Sequence, residues 1–79
     1  MKYKHTIAIL AYNSHDLTMQ VLKELYKTKV NSKILFFDNG SEPSFKKLIH
    51  GYNIQYHREL ENIFVNPAWN KIFKMTDTE

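Results

Sequence analysis

Three short segments carry side chains that could hold a ligand. Tyr12 and Asn13 follow the apolar run Ile7-Ala8-Ile9-Leu10-Ala11. Asp38-Asn39-Gly40-Ser41 follows a second apolar run, Ile34-Leu35-Phe36-Phe37. Arg58 and Asn62 come after a third, shorter segment. An aromatic ring offers its face to a flat ligand. An ionised carboxylate only accepts hydrogen bonds, whereas an amide both donates and accepts. Brought to one place, these groups suit a nucleotide: the base stacks on Tyr12 and donates an N–H to Asp38, and the ribose bonds to nearby backbone. Taken singly, each has a plainer reading. Asp38-Asn39-Gly40-Ser41 is a strong turn sequence, Tyr12 can cap a core, and Asn66 before Pro67 is a helix cap.

Other chemistries are poorly served. The chain has no cysteine, which removes disulfides, thiolate zinc sites and a cysteine nucleophile. His5, His15, His50 and His57 are scattered without metal-ligand spacing. Ser14 and Ser41 lack the elbow pattern of a hydrolase nucleophile. Glu59 and Glu61 are not marked as a catalytic pair, and no Gly-rich phosphate loop occurs. The sequence therefore offers no catalytic and no metal-ligating residue.

The elements that must position the three segments alternate along the chain. Residues 4–11 read as a strand covered on both faces, because Ile7-Ala8-Ile9-Leu10 is apolar without alternation. Asn13, Ser14 and Asp16 are helix-start residues, and Leu17, Val21, Leu22 and Leu25 recur at helical spacing, predicting a helix over 16–27. Lys27 and Lys29 suit its negative end. Residues 33–37 form a second strand. Pro43, the apolar positions Phe45, Leu48 and Ile49, and the terminator Gly51 predict a second helix. Residues 54–57 form a short third strand. Asn66-Pro67 opens a third helix with Trp69, Ile72 and Phe73 as its apolar face and Trp69 as a core anchor.

This alternation predicts an α/β, Rossmann-like three-layer domain occupying residues 1–79. Right-handed crossovers give a three-stranded parallel sheet of order 3-2-1 with helices on both faces. Ligands of such sheets bind outside the carboxyl ends of the strands, where the strand order reverses. Ala11, Tyr12, Asn13, Asp38, Asn39 and Asn62 all fall at that edge.

Composition sets outer limits. The chain has 79 residues, 43% of them hydrophobic, which suits one small globular domain. A net charge of +3 comes from dispersed lysines, among them Lys23, Lys33, Lys46, Lys47, Lys71 and Lys74. Solvated helix faces explain them better than a nucleic-acid footprint. The apolar stretch after Met1-Lys2-Tyr3-Lys4 is short and lacks a small-residue cleavage site. No segment is long enough to span a membrane, so the expected location is cytoplasmic.

The combined motifs are more specific than their parts. An apolar strand running into Tyr12-Asn13, a Leu-rich helix, and Ile34-Leu35-Phe36-Phe37-Asp38-Asn39-Gly40-Ser41 together resemble the start of the glycosyltransferase-A fold, family 2. The stretch from Asn62 through Ala68-Trp69-Asn70 is similar to a segment of that family beginning with Asn and ending with Ala-x-Asn. The resemblance covers almost the whole chain. It implies an N-terminal fragment or short form of a nucleotide-sugar-dependent glycosyltransferase, with a UDP-sugar as donor. Tyr12 and Asp38 would then contact the base, and Asn62 and Asn70 would shape the pocket. The alternative is a non-catalytic Rossmann-like nucleotide-binding or protein-interaction module.

The sequence also departs from the family. Ala11 stands where Thr or Ser is common, and Phe64 where Gly is usual. The family's Asp-x-Asp motif, which holds Mn or Mg in a complete enzyme, has no counterpart here, because Asp77 is followed by Thr78-Glu79. No catalytic base is present either, so the chain alone is expected to be inactive and to bind no cofactor. Without a fourth strand, strand 1 becomes a long apolar edge that invites pairing with a second copy, so a homo-oligomer is expected.

Overall fold

The computed structural model describes residues 5–28 and 32–76. It contains β1 (His5–Ala11), α1 (His15–Thr28), β2 (Ser32–Asn39), β3 (Gln55–Glu59) and α2 (Val65–Met75). The expected strand start at Lys4, the cation Lys29 and the residues from Asp77 onward lie outside the described residues.

The chain folds as a small α/β domain on a three-stranded sheet in the order β1-β2-β3, with both pairings parallel. β2 is central and buried along almost all of its length. That explains its unbroken apolar run: a central strand covered on both faces has no solvent side to alternate toward. In register, Ala11 pairs with Asp38 and Asp38 with Arg58, so these three residues form one row across the sheet at its carboxyl end.

Successive residues of β2 enter separate clusters, as the period of a strand requires. Ile34 and Phe36 pack with Ile9, Ala11, Leu22, Phe45 and Ile49. Leu35 and Phe37 pack with Ala68 and Ile72, joined by Ala8, Leu10, Ile63 and Met75. Each fully buried Phe or Leu contributes roughly 1.5–3 kcal/mol by leaving water. Leu35, Phe36 and Phe37, all at 0% exposure, make β2 the main source of stability.

Four local expectations change, the first at Asn66: this expected cap of the last helix lies inside α2, whose N-cap is Phe64. The segment from Pro43 to Gly51 is a run of turns and not a helix. The Ile49 N–H donates to the Phe45 carbonyl at 3.0 Å, but the following bonds, His50 to Lys47 and Tyr52 to Ile49, span only three residues. One turn that tightens immediately cannot propagate an α-helix. Phe45 and Ile49 are nevertheless buried, while Leu48 is exposed.

In α1, Leu22 is buried and Met19, Leu25 and Tyr26 pack beside it, whereas Leu17 and Val21 are exposed. In α2 the buried stripe is Ala68 and Ile72, with Met75 beside it. Trp69 keeps 36% of its surface exposed and Phe73 keeps 73%, so Trp69 is not the core anchor. Trp69 and Phe73 sit one residue, about 100°, around the helix from Ala68 and Ile72. Close packing on the sheet selects the small Ala68 at the contact.

Candidate nucleotide site at the carboxyl edge of the sheet

The turn leaving β2 is a junction for all three strand ends. Asp38 is fully buried. Its Oδ1 accepts the Ser41 N–H at 3.0 Å, and its Oδ2 accepts the Phe45 N–H at 2.9 Å and the Tyr56 hydroxyl at 2.8 Å. Arg58 Nε lies 4.0 Å from the same Oδ2. That is too long for a hydrogen bond but within ion-pair distance. Arg58 Nε is itself buried without a hydrogen-bond partner, while Arg58 Nη2 donates to the Ser41 carbonyl at 3.3 Å. Burial, helped by the bond to Asp38 and its negative charge, pushes the Tyr56 hydroxyl up to about 12. Tyr56 therefore remains a donor at any ordinary pH.

Asn39 does the same work toward the segment that follows β3. Its Nδ2 donates to Asn62 Oδ1 at 2.9 Å and to the Phe64 carbonyl at 3.3 Å, and its Oδ1 accepts the Ile63 N–H at 2.9 Å. Gly40, at φ 77, allows the close approach: a Cβ there would stand 2.4 Å from the Asn62 nitrogen and 2.4 Å from the Glu61 carbonyl carbon. No side chain fits that space, and positive φ disfavours one independently. Ser41 completes the junction on the other side. Its Oγ accepts the Asn13 N–H at 2.8 Å, and Asn13 Oδ1 accepts the Glu42 N–H at 3.0 Å. His15 Nε2 donates to the Pro43 carbonyl at 2.6 Å, which requires the proton on Nε2.

The expected residues thus fall into three groups. Ala11, Asp38 and Asn39 are buried in the junction, at 2%, 0% and 3% exposure. Asn13 and Asn62 are partly exposed and hydrogen-bonded to it. Tyr12 is 51% exposed. Asn70 is also exposed, but it sits on α2 about 7.5 Å along the axis from Val65, beyond the first turn that meets the junction.

Asn13, Ser14 and Phe64 have positive φ, at 50, 48 and 68. Asn and Ser tolerate left-handed turns at modest cost. Phe64, at φ 68 and ψ 173, occupies a region that is essentially reserved for glycine and costs roughly 1–3 kcal/mol.

Three features escape sequence reasoning. The Tyr56 hydroxyl reaches Asp38 across 18 positions, and nothing in its local pattern distinguishes it from a strand tyrosine. Glu59 Oε2 receives His57 Nε2 at 2.6 Å and Lys71 Nζ at 2.9 Å, tying β3 to α2. The His57 and Lys71 bonds hold its carboxyl below the usual 4.5. The glycine-like backbone at Phe64 is the third, and a phenylalanine gives no local signal of it.

No protein-family model, curated protein or solved structure gives a significant match to this chain. Among the described residues, no group of three or more His, Asp or Glu is placed to hold a metal ion. Among the described residues, no helix is long and apolar enough to cross a membrane.

Proposed function

We propose that the chain binds the nucleotide of a nucleotide-sugar, a UDP-sugar, as the donor-binding N-terminal part of a cytoplasmic glycosyltransferase. The supporting observation is the carboxyl edge itself: three parallel strand ends tied into one rigid junction, with the Tyr12 ring left half exposed on it. In this reading the domain is a Rossmann-like three-layer half of order 3-2-1, with α1 and α2 on opposite faces. The division of the core into two clusters supports that arrangement. Tyr12 offers the stacking face, and Asn13 and Asn62 form a polar rim. Asp38 and Asn39 act chiefly by holding that rim. Asp38 is fully buried, so a direct bond to uracil N3–H would need the turn to open.

No catalytic role is assigned to any residue of the chain. The test is ligand-observed NMR with UMP against AMP on the wild type and Tyr12→Ala. The expected outcome is weak binding, about millimolar, which corresponds to only about 4 kcal/mol, with a preference for UMP and a loss in Tyr12→Ala. Equal or absent signals for both nucleotides on a folded wild type would remove the reading.

A second reading, self-association, has its own observation. β1 is an outer strand with no lysine, arginine or acid among its seven residues. On α2, which touches β1, Val65, Trp69 and Phe73 are exposed. An unguarded edge of this kind pairs readily with another strand. Light scattering at rising concentration should show dimers, and a persistent monomer would exclude pairing through this edge.

A further inference from the structure

We propose that the Phe64 ring is a second wall of the site, contacting the face of the ligand's planar heteroaromatic base. This rests on the nucleotide reading above and adds a residue to it. Phe64 is clamped at its backbone. Its N–H donates to Asn62 Oδ1 at 2.8 Å, and its carbonyl accepts Asn39 Nδ2 at 3.3 Å and the Ala68 N–H at 3.2 Å. These bonds hold φ at 68 and ψ at 173, where glycine is the natural occupant. A buried ring would give phenylalanine a packing reason to be there. The ring is instead 73% exposed, so the fold gains little from it. The position combines glycine's backbone with an aromatic side chain that the interior does not use.

The sheet shows what the ring stands beside. Ala8 and Leu10 of β1 pack in the cluster that contains Ala68 and Ile72 of α2. Tyr12 directly follows Ala11, the last residue of β1, at the carboxyl end of the sheet. Phe64 precedes α2, and its carbonyl is joined to Asn39 at the end of β2. Two exposed aromatic rings therefore stand at one edge of the sheet, with the partly exposed amides of Asn13 and Asn62 beside them. Stacking on aromatic rings is how proteins hold nucleobases when few hydrogen bonds are available.

The experiment compares wild type, Phe64→Gly, Phe64→Leu, Phe64→Tyr and Tyr12→Ala for UMP binding by saturation-transfer NMR, alongside their melting temperatures. Phe64→Gly and Phe64→Leu should each weaken UMP binding about tenfold, while Phe64→Tyr keeps it. Phe64→Gly should also melt higher than wild type, because it relieves strain without losing packing. Intermolecular NOEs should run from the Phe64 ring to the base protons of UMP. UMP binding lost in Tyr12→Ala but unchanged in Phe64→Gly and Phe64→Leu would overturn the Phe64 contact and leave the nucleotide reading standing. A lower melting temperature for Phe64→Gly would overturn it too, by showing that the ring serves the fold. No binding to folded wild type would overturn the nucleotide reading, and the Phe64 contact with it.

Discussion

Asp38, Asn39 and Ser41 are polar and lie inside the protein, at 0% exposure for Asp38 and Ser41, while Val65, Trp69 and Phe73 on α2 are apolar and face outward, at 59%, 36% and 73%. The polar turn can be buried because its side chains are matched. The Asp38 carboxylate has three donors and a nearby guanidinium, and Asn39 uses both ends of its amide. Buried polar groups are tolerated when they are paired. The apolar stripe is exposed for a geometric reason. A helix can press only one stripe onto a sheet, and α2 presses Ala68 and Ile72. Residue polarity alone therefore misjudges both regions, since pairing governs one and helix phase the other.

The largest test of this contrast is Asp38→Ala. It strips the acceptor from the Ser41 and Phe45 N–H groups and the Tyr56 hydroxyl, and leaves Arg58 with only the exposed Glu42 as a counter-ion. Removing one partner of a buried charged network costs about 3–5 kcal/mol, enough to unfold a domain this small. Urea denaturation measures it. A loss under about 0.5 kcal/mol would show that the junction does not hold the turn.

Next comes the pair Ile72→Ala and Trp69→Ala. Emptying the buried Ile72 site should cost about 2–5 kcal/mol. Trp69 lies outside both core clusters, and its truncation should cost about 1 kcal/mol. If thermal denaturation gives equal costs, the outward stripe is covered in solution by another chain.

A smaller effect links the two regions through Glu59, which pairs with Asn39 in register and receives Lys71 from α2. Its carboxyl is held below 4.5 in the folded state, by His57 first and Lys71 second. A depressed carboxyl stabilises the fold above its unfolded value, and that stability disappears as pH falls through the folded value. Melting temperature should therefore drop below about pH 4.5 more steeply in wild type than in Glu59→Gln. Parallel curves would mean the contact contributes nothing. The smallest effect is Phe73→Ser, which should stay within about 0.5 kcal/mol of wild type. A larger loss in calorimetry would place Phe73 in a contact.

Much of the architecture can be read from the chain alone. Unbroken apolar runs at 7–10 and 34–37 mark parallel strands; the central 34–37 run is buried throughout, whereas in the outer strand β1 only Ile9 of 7–10 is buried. The Asp-Asn-Gly-Ser sequence at 38–41 determines that the chain turns there, and helical spacing after Asp16 determines α1. These signals are local, since each depends on a few neighbouring residues. Tertiary structure decided the rest. It chose Ala68 and Ile72 over Trp69 and Phe73 because two stripes of one helix differ only by a rotation, and only the sheet can select between them. It turned Asp38 toward its own turn because the donors that claim it come from positions 41, 45 and 56. It ended the expected second helix after one turn while still burying Phe45 and Ile49. It set Phe64 in a glycine's conformation, with Asn39 holding its carbonyl from 25 positions away while the neighbouring Asn62 holds its N–H. For α2, Asp38 and Phe64 at least one deciding partner, the sheet, Tyr56 and Asn39 respectively, is distant in sequence, and long-range pairing leaves no periodic trace in the residues that it constrains.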